Sequence, residues 1–275
     1  MKPQRVERNV LMTVNNQVQR AYNQELEDAI YVNLVMLNKS VLGMTRKLYW
    51  EQPYSKEFTA TVVSVEGNNV ELDQSLFYPR GGGVACDTGT LNGIPVAETT
   101  KNGAQILHTL NAPPNFTVGS TVQGKLDWDR RYRLMRMHTS GHLLCSVFFS
   151  KANCRITGNQ IEVDKSRMDF NLDAFDRSLI EGFVAEANRL VKQDAPVKTY
   201  FMARDDALKL PELVKLAEAA PPNEAQLRIV EIEGIDKQAD GGAHVAQLKE
   251  VGEIRLVKLE NKGKTNRRLY YDLTP

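Results

Sequence analysis

The amino-acid sequence predicts an α+β chain, in which a small β-barrel or sandwich precedes helices packed on a mainly antiparallel sheet. Short runs of alternating hydrophobicity, separated by Gly, Pro and Asn, occupy residues 45–127 and indicate the first part. Helical periodicity begins after residue 130, and strand-like runs close the chain. With 275 residues, of which 42% are hydrophobic and 25% charged, the chain is long and apolar enough for a buried core.

The segment 1–43 is predicted to form a peripheral helix that stands apart from the rest. It is rich in Asn, Gln and charge, and its acidic residues disfavour a transit peptide. Its apolar residues recur every four positions, at Val18, Tyr22, Leu26, Ile30 and Leu34. Met44 is an alternative start of the chain. We therefore expect a helical extension over 1–43, a β-barrel over 44–127 and a second domain over 128–275.

The barrel is predicted from short strand-like runs that Gly, Pro and Asn interrupt. These runs cover residues 58–65, 69–72, 89–96 and 105–110, with the glycine cluster Gly81, Gly82 and Gly83 between the second and the third. The cluster either forms a tight turn or binds an anion, since it lacks the spacing of the known phosphate-binding loops.

The second domain is predicted to contain three helices and three further strands. The helices are expected at 130–151, at 179–190 behind Asp173, and at 205–219 before two prolines. Strand-like runs occupy 226–232, 253–259 and 268–273. Helices packed on an antiparallel sheet follow from this order of elements.

Composition excludes several classes of protein. Lys+Arg 35 against Asp+Glu 34 gives a net charge of +1, so any nucleic-acid footprint must be local. The apolar stretches are too short to span a bilayer. Three cysteines without CxxC spacing, and no pattern of a secretory signal, favour a reducing, cytoplasmic setting.

Two pairs of potential metal ligands use three of the four histidines. His138 and His142 are four residues apart on a predicted helix, so both imidazoles lie on one face. Asp240 and His244 repeat this spacing around two glycines, which allow the backbone to turn sharply. Three imidazoles and one carboxylate are a donor set that suits Zn²⁺.

The neighbours of these ligands narrow the chemistry. Thr139 stands where the HExxH motif has its glutamate, which disfavours a zincin-type metalloprotease. Cys145, one turn after the second helical histidine, is the only cysteine placed to approach the metal. His108 lies in a strand with no spacing partner, and we expect it to be structural.

Two basic patches are candidate contacts for a nucleic acid. The first is the run 129–136, which leads into the histidine pair and includes Arg136. The second lies near the end of the chain, beside Tyr270 and Tyr271, and consists of Lys262, Lys264, Arg267 and Arg268. Basic residues interleaved with aromatic residues are typical of phosphate and base-stacking contacts. We assign both patches and the glycine cluster Gly81, Gly82 and Gly83 to substrate binding.

Several motifs follow one another in a distinctive order. They are Phe77-Tyr78-Pro79-Arg80-Gly81-Gly82-Gly83, Asp129-Arg130-Arg131, Met137-His138-Thr139-Ser140-Gly141-His142, Gly158-Asn159-Gln160-Ile161 and Gln238-Ala239-Asp240-Gly241-Gly242-Ala243-His244. Through these motifs the chain resembles, over residues 45–273, the editing domain of alanyl-tRNA synthetase and its free-standing relatives, the AlaX-type alanyl-tRNA editing proteins. The order of the motifs makes the resemblance specific.

The resemblance implies a glycine-motif β-barrel followed by a zinc-binding α+β editing domain. The implied activity is hydrolysis, without ATP, of the ester in tRNA(Ala) mischarged with serine or glycine. The implied zinc ligands are His138, His142, Asp240 and His244. Gln160 would line the aminoacyl pocket, and Thr139 is assigned with it to catalysis.

Three positions depart from the family pattern. Many members have Cys where Asp240 stands, Thr where Ala243 stands, and Gln where Val84 follows the glycines. A carboxylate is a harder ligand than a thiolate, so we expect weaker zinc retention. These departures leave open a tRNA-binding protein with a decayed site. Threonyl-type editing of Ser-tRNA(Thr) is a second alternative, because it shares the spacing of the two ligand pairs.

Overall fold

The fold is described from a computed structural model, which covers residues 44–172, 176–210, 213 and 224–274. The helix expected over 1–43 lies outside the described residues, as do Asp173 and most of the helix expected over 205–219. Within the described residues, no helix is long and apolar enough to cross a lipid bilayer. The prediction of an α+β chain with mainly antiparallel sheets is confirmed.

Six antiparallel strands of the first half close into a barrel. The strands are β2 (Glu57–Glu66), β3 (Asn69–Leu72), β5 (Gly89–Leu91), β6 (Ile94–Asn102), β7 (Gln105–Leu110) and β8 (Thr121–Leu126). Their order around the barrel is β2-β3-β7-β6-β5-β8. Alternate side chains of β2 are buried, as expected for strands with one face against a core. Beside the barrel lie β1 (Arg46–Lys47), which pairs in parallel with β4 (Gln74–Ser75), and the single-turn helix α1 (Leu48–Glu51).

The strand expected over 89–96 is in fact a hairpin. Asn92 and Gly93, between β5 and β6, have φ angles of 45° and 81°. Positive φ at two successive residues is typical of the tight turns that connect antiparallel strands, and Asn-Gly is the preferred pair there. The turn signal was present in the sequence, but the alternating apolar residues on both sides obscured it.

His108 is structural, as predicted, and it is buried inside the barrel. Its Nδ1 donates to the Val70 carbonyl oxygen at 3.1 Å, and its Nε2 accepts from the Ser75 hydroxyl at 2.8 Å. Burial lowers the pKa of His108 to about 4, although the bond to Val70 acts in the opposite direction. The imidazole is therefore neutral at pH 7.

The second half places one long helix between two antiparallel sheets. Helix α2 (Trp128–Ala152) begins at the Asp127 cap, whose carboxylate accepts from the Arg130 backbone N–H. The strands are β9 (Ile156–Gln160), β10 (Ser166–Phe170), β11 (Val197–Ala203), β12 (Gln226–Ile232), β13 (Asp236–Ala239), β14 (Ile254–Asn261) and β15 (Arg267–Leu273). One sheet has the order β14-β15-β10-β9 and the other has the order β11-β12-β13. Helices α3 (Arg177–Val191) and α4 (Arg204–Ala207) and a 3-10 helix (Leu248–Val251) complete this half.

Buried contacts join the barrel to α2 and to β9. The guanidinium of Arg131, on α2, forms a buried ion pair with Asp87 and also donates to the Leu76 carbonyl oxygen. The Ile161 N–H donates to the Gly83 carbonyl oxygen at 2.7 Å, so the end of the glycine turn pairs with the segment after β9. The buried charge of Arg131 on α2 is neutralised by Asp87 on the barrel side. Separating the two would leave a buried charge without a partner, so the pair holds the barrel and α2 together.

Candidate metal centre

Four potential ligands from two distant segments meet beside α2. His138 and His142 lie one turn apart on the same face of α2, and Asp240 and His244 lie in the loop that follows β13. One donor atom from each of the four side chains lies within 4.8 Å of every other. Both members of each predicted pair are therefore brought together, and the two pairs form one cluster.

The spacing of the donor atoms fits a small tetrahedral cation. The Asp240 Oδ1 lies 3.0 Å from His244 Nε2, and its Oδ2 lies 3.5 Å from His138 Nε2 and 3.9 Å from His142 Nε2. Ligand bonds of about 2.0–2.2 Å in a tetrahedron place the donor atoms about 3.4 Å apart. Three imidazole nitrogens and one carboxylate oxygen at these separations are a donor set suited to zinc.

Two of the histidines have an oxygen atom behind them. The buried carboxylate of Asp236 lies 3.4 Å from His142 Nδ1 and accepts from Gln238 Nε2 at 2.9 Å. The Thr139 hydroxyl lies 3.1 Å from His244 Nδ1. An oxygen at Nδ1 holds the ring of His244 so that Nε2 faces the metal position, an arrangement common in metal sites. The Nδ1 atoms of His138 and His142 form no well-aligned hydrogen bond among the described residues, so the Asp236 carboxylate acts on His142 through its charge.

The loop that carries the carboxylate is fixed by two side chains from elsewhere in the fold. The Arg228 Nη1 donates to the Asp240 and Gly242 carbonyl oxygens at 3.0 and 2.9 Å, and the Trp50 indole N–H donates to the Gly241 carbonyl oxygen at 2.7 Å. Three successive carbonyls are thus held. A Cβ at Gly242 would lie 2.4 Å from His138 Cε1, so only glycine allows this approach of loop and helix.

The pKa values of the cluster are set by burial and by the placement of one carboxylate among three imidazoles. Burial raises the pKa of Asp240, but the charge and hydrogen bonds of the histidines outweigh it and hold this pKa well below its usual value. Burial lowers the pKa of His142, but the carboxylates of Asp236 and Asp240 prevail and raise it to about 9. Burial and the neighbouring imidazole charge lower the pKa of His244 well below its usual value. Asp240 is therefore ionised and ready to bind a cation.

A cavity of about 610 Å³ opens over this cluster. Its walls include His138, His142 and Asp240, and they come from both halves of the chain. Cationic side chains of the wall are Lys47, Lys101 and Arg228, and Asn159 is a polar side chain among apolar neighbours such as Ile161 and Met168. A pocket that combines apolar side chains with several charged and polar ones, and that has a metal position at its wall, has the character of a ligand-binding site.

Gln160 and Thr139, predicted as catalytic residues, are not in the cavity wall. Gln160 pairs with Arg167 on the outer face of the sheet, where its Oε1 accepts from Arg167 Nε at 3.1 Å. Asn159, one residue earlier, pairs with the buried Met168 and lines the cavity instead. A strand turns successive side chains to opposite faces, so the structure brings Asn159 rather than Gln160 to the cavity. Thr139 is buried behind His244 and positions that ring.

The predicted substrate-binding residues are divided by the structure. Gly82 lines the cavity, whereas Gly81 and Gly83 belong to the same tight turn but are not in the cavity wall. The guanidinium of Arg136 is held by the Val251 and Thr274 carbonyl oxygens, outside the cavity. These donors fix the end of the chain, and the structure does not bring Arg136 to the cavity.

The basic patch near the end of the chain consists of two anchored and two exposed side chains. Arg267 is buried, and its guanidinium donates to Gly263 and Lys264 carbonyl oxygens inside the β14–β15 turn. Arg268 forms a two-pronged ion pair with Asp169, at 2.7 and 2.8 Å. Lys262 and Lys264 are exposed on the turn itself. Only the lysines remain suited to contact a phosphate backbone.

The turn that carries these lysines lies at the rim of the cavity. The hydroxyl of Thr157, a residue of the cavity wall, donates to Asn266 Oδ1 at 2.9 Å. Cys145, in contrast, is buried and does not belong to the cluster of ligating side chains that the described residues form. The structure therefore does not bring Cys145 into the set of side chains that could ligate the metal.

Two family models match the chain. The model described as tRNA synthetases class II (A) matches residues 2–130, and the model of the threonyl and alanyl tRNA synthetase second additional domain matches residues 227–270. The second match includes Asp240 and His244, and the first ends inside α2.

Several curated proteins are similar over most of the chain. An alanyl-tRNA editing protein AlaX-M of Saccharolobus solfataricus is 45% identical over 238 residues, which are 84% of this chain and all of the relative. One of Methanosarcina barkeri is 42% identical over 241 residues, 84% of this chain and 99% of the relative. An alanine–tRNA ligase of Methanococcus maripaludis is 34% identical over 219 residues, 78% of this chain but 24% of the ligase.

Proposed function

The chain belongs to the family of alanyl-tRNA editing proteins of the AlaX-M type, and we propose that it hydrolyses the ester of mischarged tRNA(Ala) with the help of a bound zinc ion. The observation that carries the proposal is the convergence of His138, His142, Asp240 and His244 at the wall of a cavity. The identity of the four donors and the distances between them support zinc as the metal.

The proposed substrates are tRNA(Ala) charged with serine or with glycine. A synthetic site sized for alanine discriminates poorly against one methylene less or one hydroxyl more, by about 10- to 200-fold, and a separate hydrolytic site supplies the missing selectivity. The carboxamide of Asn159 is the group that we assign to the serine hydroxyl, because it is a polar side chain in a wall with Ile161 and Met168.

The residues of the site orient the reaction. Zinc, when bound, supplies Lewis-acid chemistry, either at the ester or at a water of lowered pKa. The hydroxyl of Thr139 keeps His244 in the orientation that exposes Nε2, and the carboxylate of Asp236 acts on His142 through its charge. The ionised Asp240 offsets part of the cationic charge.

We assign the six-stranded barrel to the glycine-motif domain of this family, with 44–127 and 128–275 as the two domains. Its contribution to the site is the glycine turn. Asn159 Nδ2 donates to the Gly82 carbonyl oxygen at 3.0 Å, and a Cβ at Gly83 would lie 2.6 Å from Asn159 Oδ1. Gly83 also has a φ of +79°, which favours glycine. The turn therefore acts on substrate through Asn159, which it holds in place.

The proposal is tested by single-turnover deacylation of Ser-tRNA(Ala), Gly-tRNA(Ala) and Ala-tRNA(Ala), with zinc measured on the same preparation and after chelation. We expect selective, chelator-sensitive hydrolysis of the serine and glycine esters and its loss, together with the zinc, in His138→Ala. His108→Gln, which removes a histidine outside the cluster, is the matched control and should retain both. Hydrolysis that persists in metal-free His138→Ala would refute the zinc assignment.

The same assay separates the two alternatives. Binding of tRNA(Ala) with no turnover and no zinc would identify a decayed site, which the replacements at Asp240 and Ala243 suggest. Preferential hydrolysis of Ser-tRNA(Thr) would identify threonyl-type editing. The names of the relatives favour alanyl-tRNA.

A further inference from the structure

We propose that an aromatic and cationic edge of the cavity, formed by Phe201, Trp50, Lys47 and Lys101, binds the 3′-terminal adenosine of the aminoacyl-tRNA. The base stacks on Phe201, and the phosphate that precedes it lies between the two lysines. This inference rests on the proposed function, because it names the partner of the same cavity. It assigns binding residues and leaves the metal chemistry unchanged.

Phe201 extends the cavity wall onto the surface of the protein. It lies on β11, directly opposite Arg228 of β12, and residues opposite each other in an antiparallel pair point to the same face. Arg228 lines the cavity, so the phenyl ring of Phe201 continues that wall outward. The side chain is 54% exposed, so its ring is accessible to a ligand at the mouth of the cavity.

Trp50 connects this exposed ring to the ligand loop. The Phe201 and Trp50 ring centroids are 5.8 Å apart, at an interplanar angle of 63°. The Trp50 indole N–H is bonded to Gly241, the residue after the ligand Asp240. The ester of an aminoacyl-tRNA is carried by the terminal ribose, so an ester held at the metal position brings the adenine of that nucleotide to this edge. Phe201 then offers the base a ring face.

The charges around the edge favour a phosphate. The Lys47 Nζ lies 3.9 Å from the Trp50 ring centroid, and Lys101, another residue of the cavity wall, lies next to the glycine turn at Gly81. Glu224 is an acidic residue in the same wall, apart from the ligand Asp240. Stacking on an aromatic ring with lysines along the backbone is the way in which proteins bind single-stranded nucleic acid without reading its sequence. Such recognition suits a 3′ end that is the same in every tRNA.

The test uses uncharged tRNA(Ala) with 2-aminopurine in place of the terminal adenine, so that stacking is read from quenching of its fluorescence. We expect the wild-type protein to quench the probe and Phe201→Ala to bind it about 10-fold more weakly with little quenching. Phe201→Tyr should restore both. Leu179→Ala is the matched control, because Leu179 is also apolar and partly exposed, at 39%, but lies on α3.

A second arm removes the nucleotide instead of the side chain. Removal of the terminal nucleotide from tRNA(Ala) should cost wild-type protein about 10-fold more affinity than it costs Phe201→Ala, because the variant has only the lysine contacts to the preceding phosphate left to lose. Equal quenching by wild type and Phe201→Ala, or an equal loss in Leu179→Ala, would overturn the assignment. These measurements involve no ester, so a protein that quenches the probe but hydrolyses nothing would refute the proposed function and retain this surface.

Discussion

Replacing Trp50 by Phe should weaken zinc binding, although Trp50 lies 191 residues before Gly241, the residue that it contacts. The substitution keeps an aromatic ring between Phe201 and Lys47 and removes the indole N–H together with the five-membered ring that carries it. The Gly241 carbonyl oxygen then loses its 2.7 Å hydrogen bond. Because the flanking glycine has little preference for one backbone conformation, the Asp240 carboxylate is left less firmly oriented.

The magnitude follows from the energetics of one such bond. The hydrogen bond to the solvent-exposed Gly241 contributes about 0.5–1.5 kcal/mol net, because water can replace the lost donor. At about 1.4 kcal/mol for each factor of ten, this range corresponds to roughly 2- to 10-fold in affinity. Loss of an outer-shell contact in other metal sites costs about 10- to 100-fold. We therefore expect the dissociation constant for zinc to rise about 10-fold.

The assay is competition for zinc with a chromogenic chelator of known affinity. Trp128→Phe is the matched control, because the chain has 2 Trp and Trp128 stacks on Tyr132, away from the ligand loop. This control also leaves Trp50 as the single indole, and its fluorescence should change when the metal is removed. Trp128→Phe should bind zinc as tightly as wild type. If Trp50→Phe did so too, the reasoning that Trp50 positions the loop would be refuted.

Three further changes test other parts of the structure. Asp240→Cys should retain zinc at least as firmly as wild type in the same chelator competition, because a thiolate is the softer ligand. Lys262→Glu combined with Lys264→Glu should weaken tRNA binding and lower the slope of log affinity against log salt by about 2, whereas an unchanged slope would show that the turn does not meet phosphates. The neutral, buried His108 should make the protein acid-sensitive: its pKa of about 4 in the folded chain against about 6.5 unfolded means that roughly 3 kcal/mol of stability is lost as the pH falls between those values. Chemical denaturation at pH 7 and pH 4.5 measures this loss, and it should be much smaller in His108→Gln.

The parts of the site that the sequence predicted correctly depend on short-range geometry. His138 and His142 share a face because a helix repeats about every 3.6 residues, and this period is visible in the sequence. The joining of this pair with Asp240 and His244 was inferred from donor chemistry and from the family resemblance. Neither inference needed any knowledge of the tertiary contacts.

Some predicted residues lie elsewhere in the structure, for equally specific reasons. Asn159 rather than Gln160 lines the pocket, because the register of β9 against β10 decides which residue faces inward, and a shift of one residue exchanges the faces. Arg267 was assigned to substrate, but a run of charged residues in a sequence does not reveal that one guanidinium closes its own turn. Asp236 and Trp50 were overlooked because no local spacing connects them to their partners.

The contacts of the ligand loop make the barrel side of the chain a structural part of the metal centre. Trp50 lies on α1, beside the barrel, and it holds the backbone next to Asp240 from across the cavity. The glycine turn holds Asn159 from the same side, and the buried pair of Asp87 and Arg131 joins the barrel to the helix that carries the histidines. A change that loosens this junction should therefore lower zinc affinity and substrate selectivity together, because ligand orientation and the shape of the pocket depend on the same contacts.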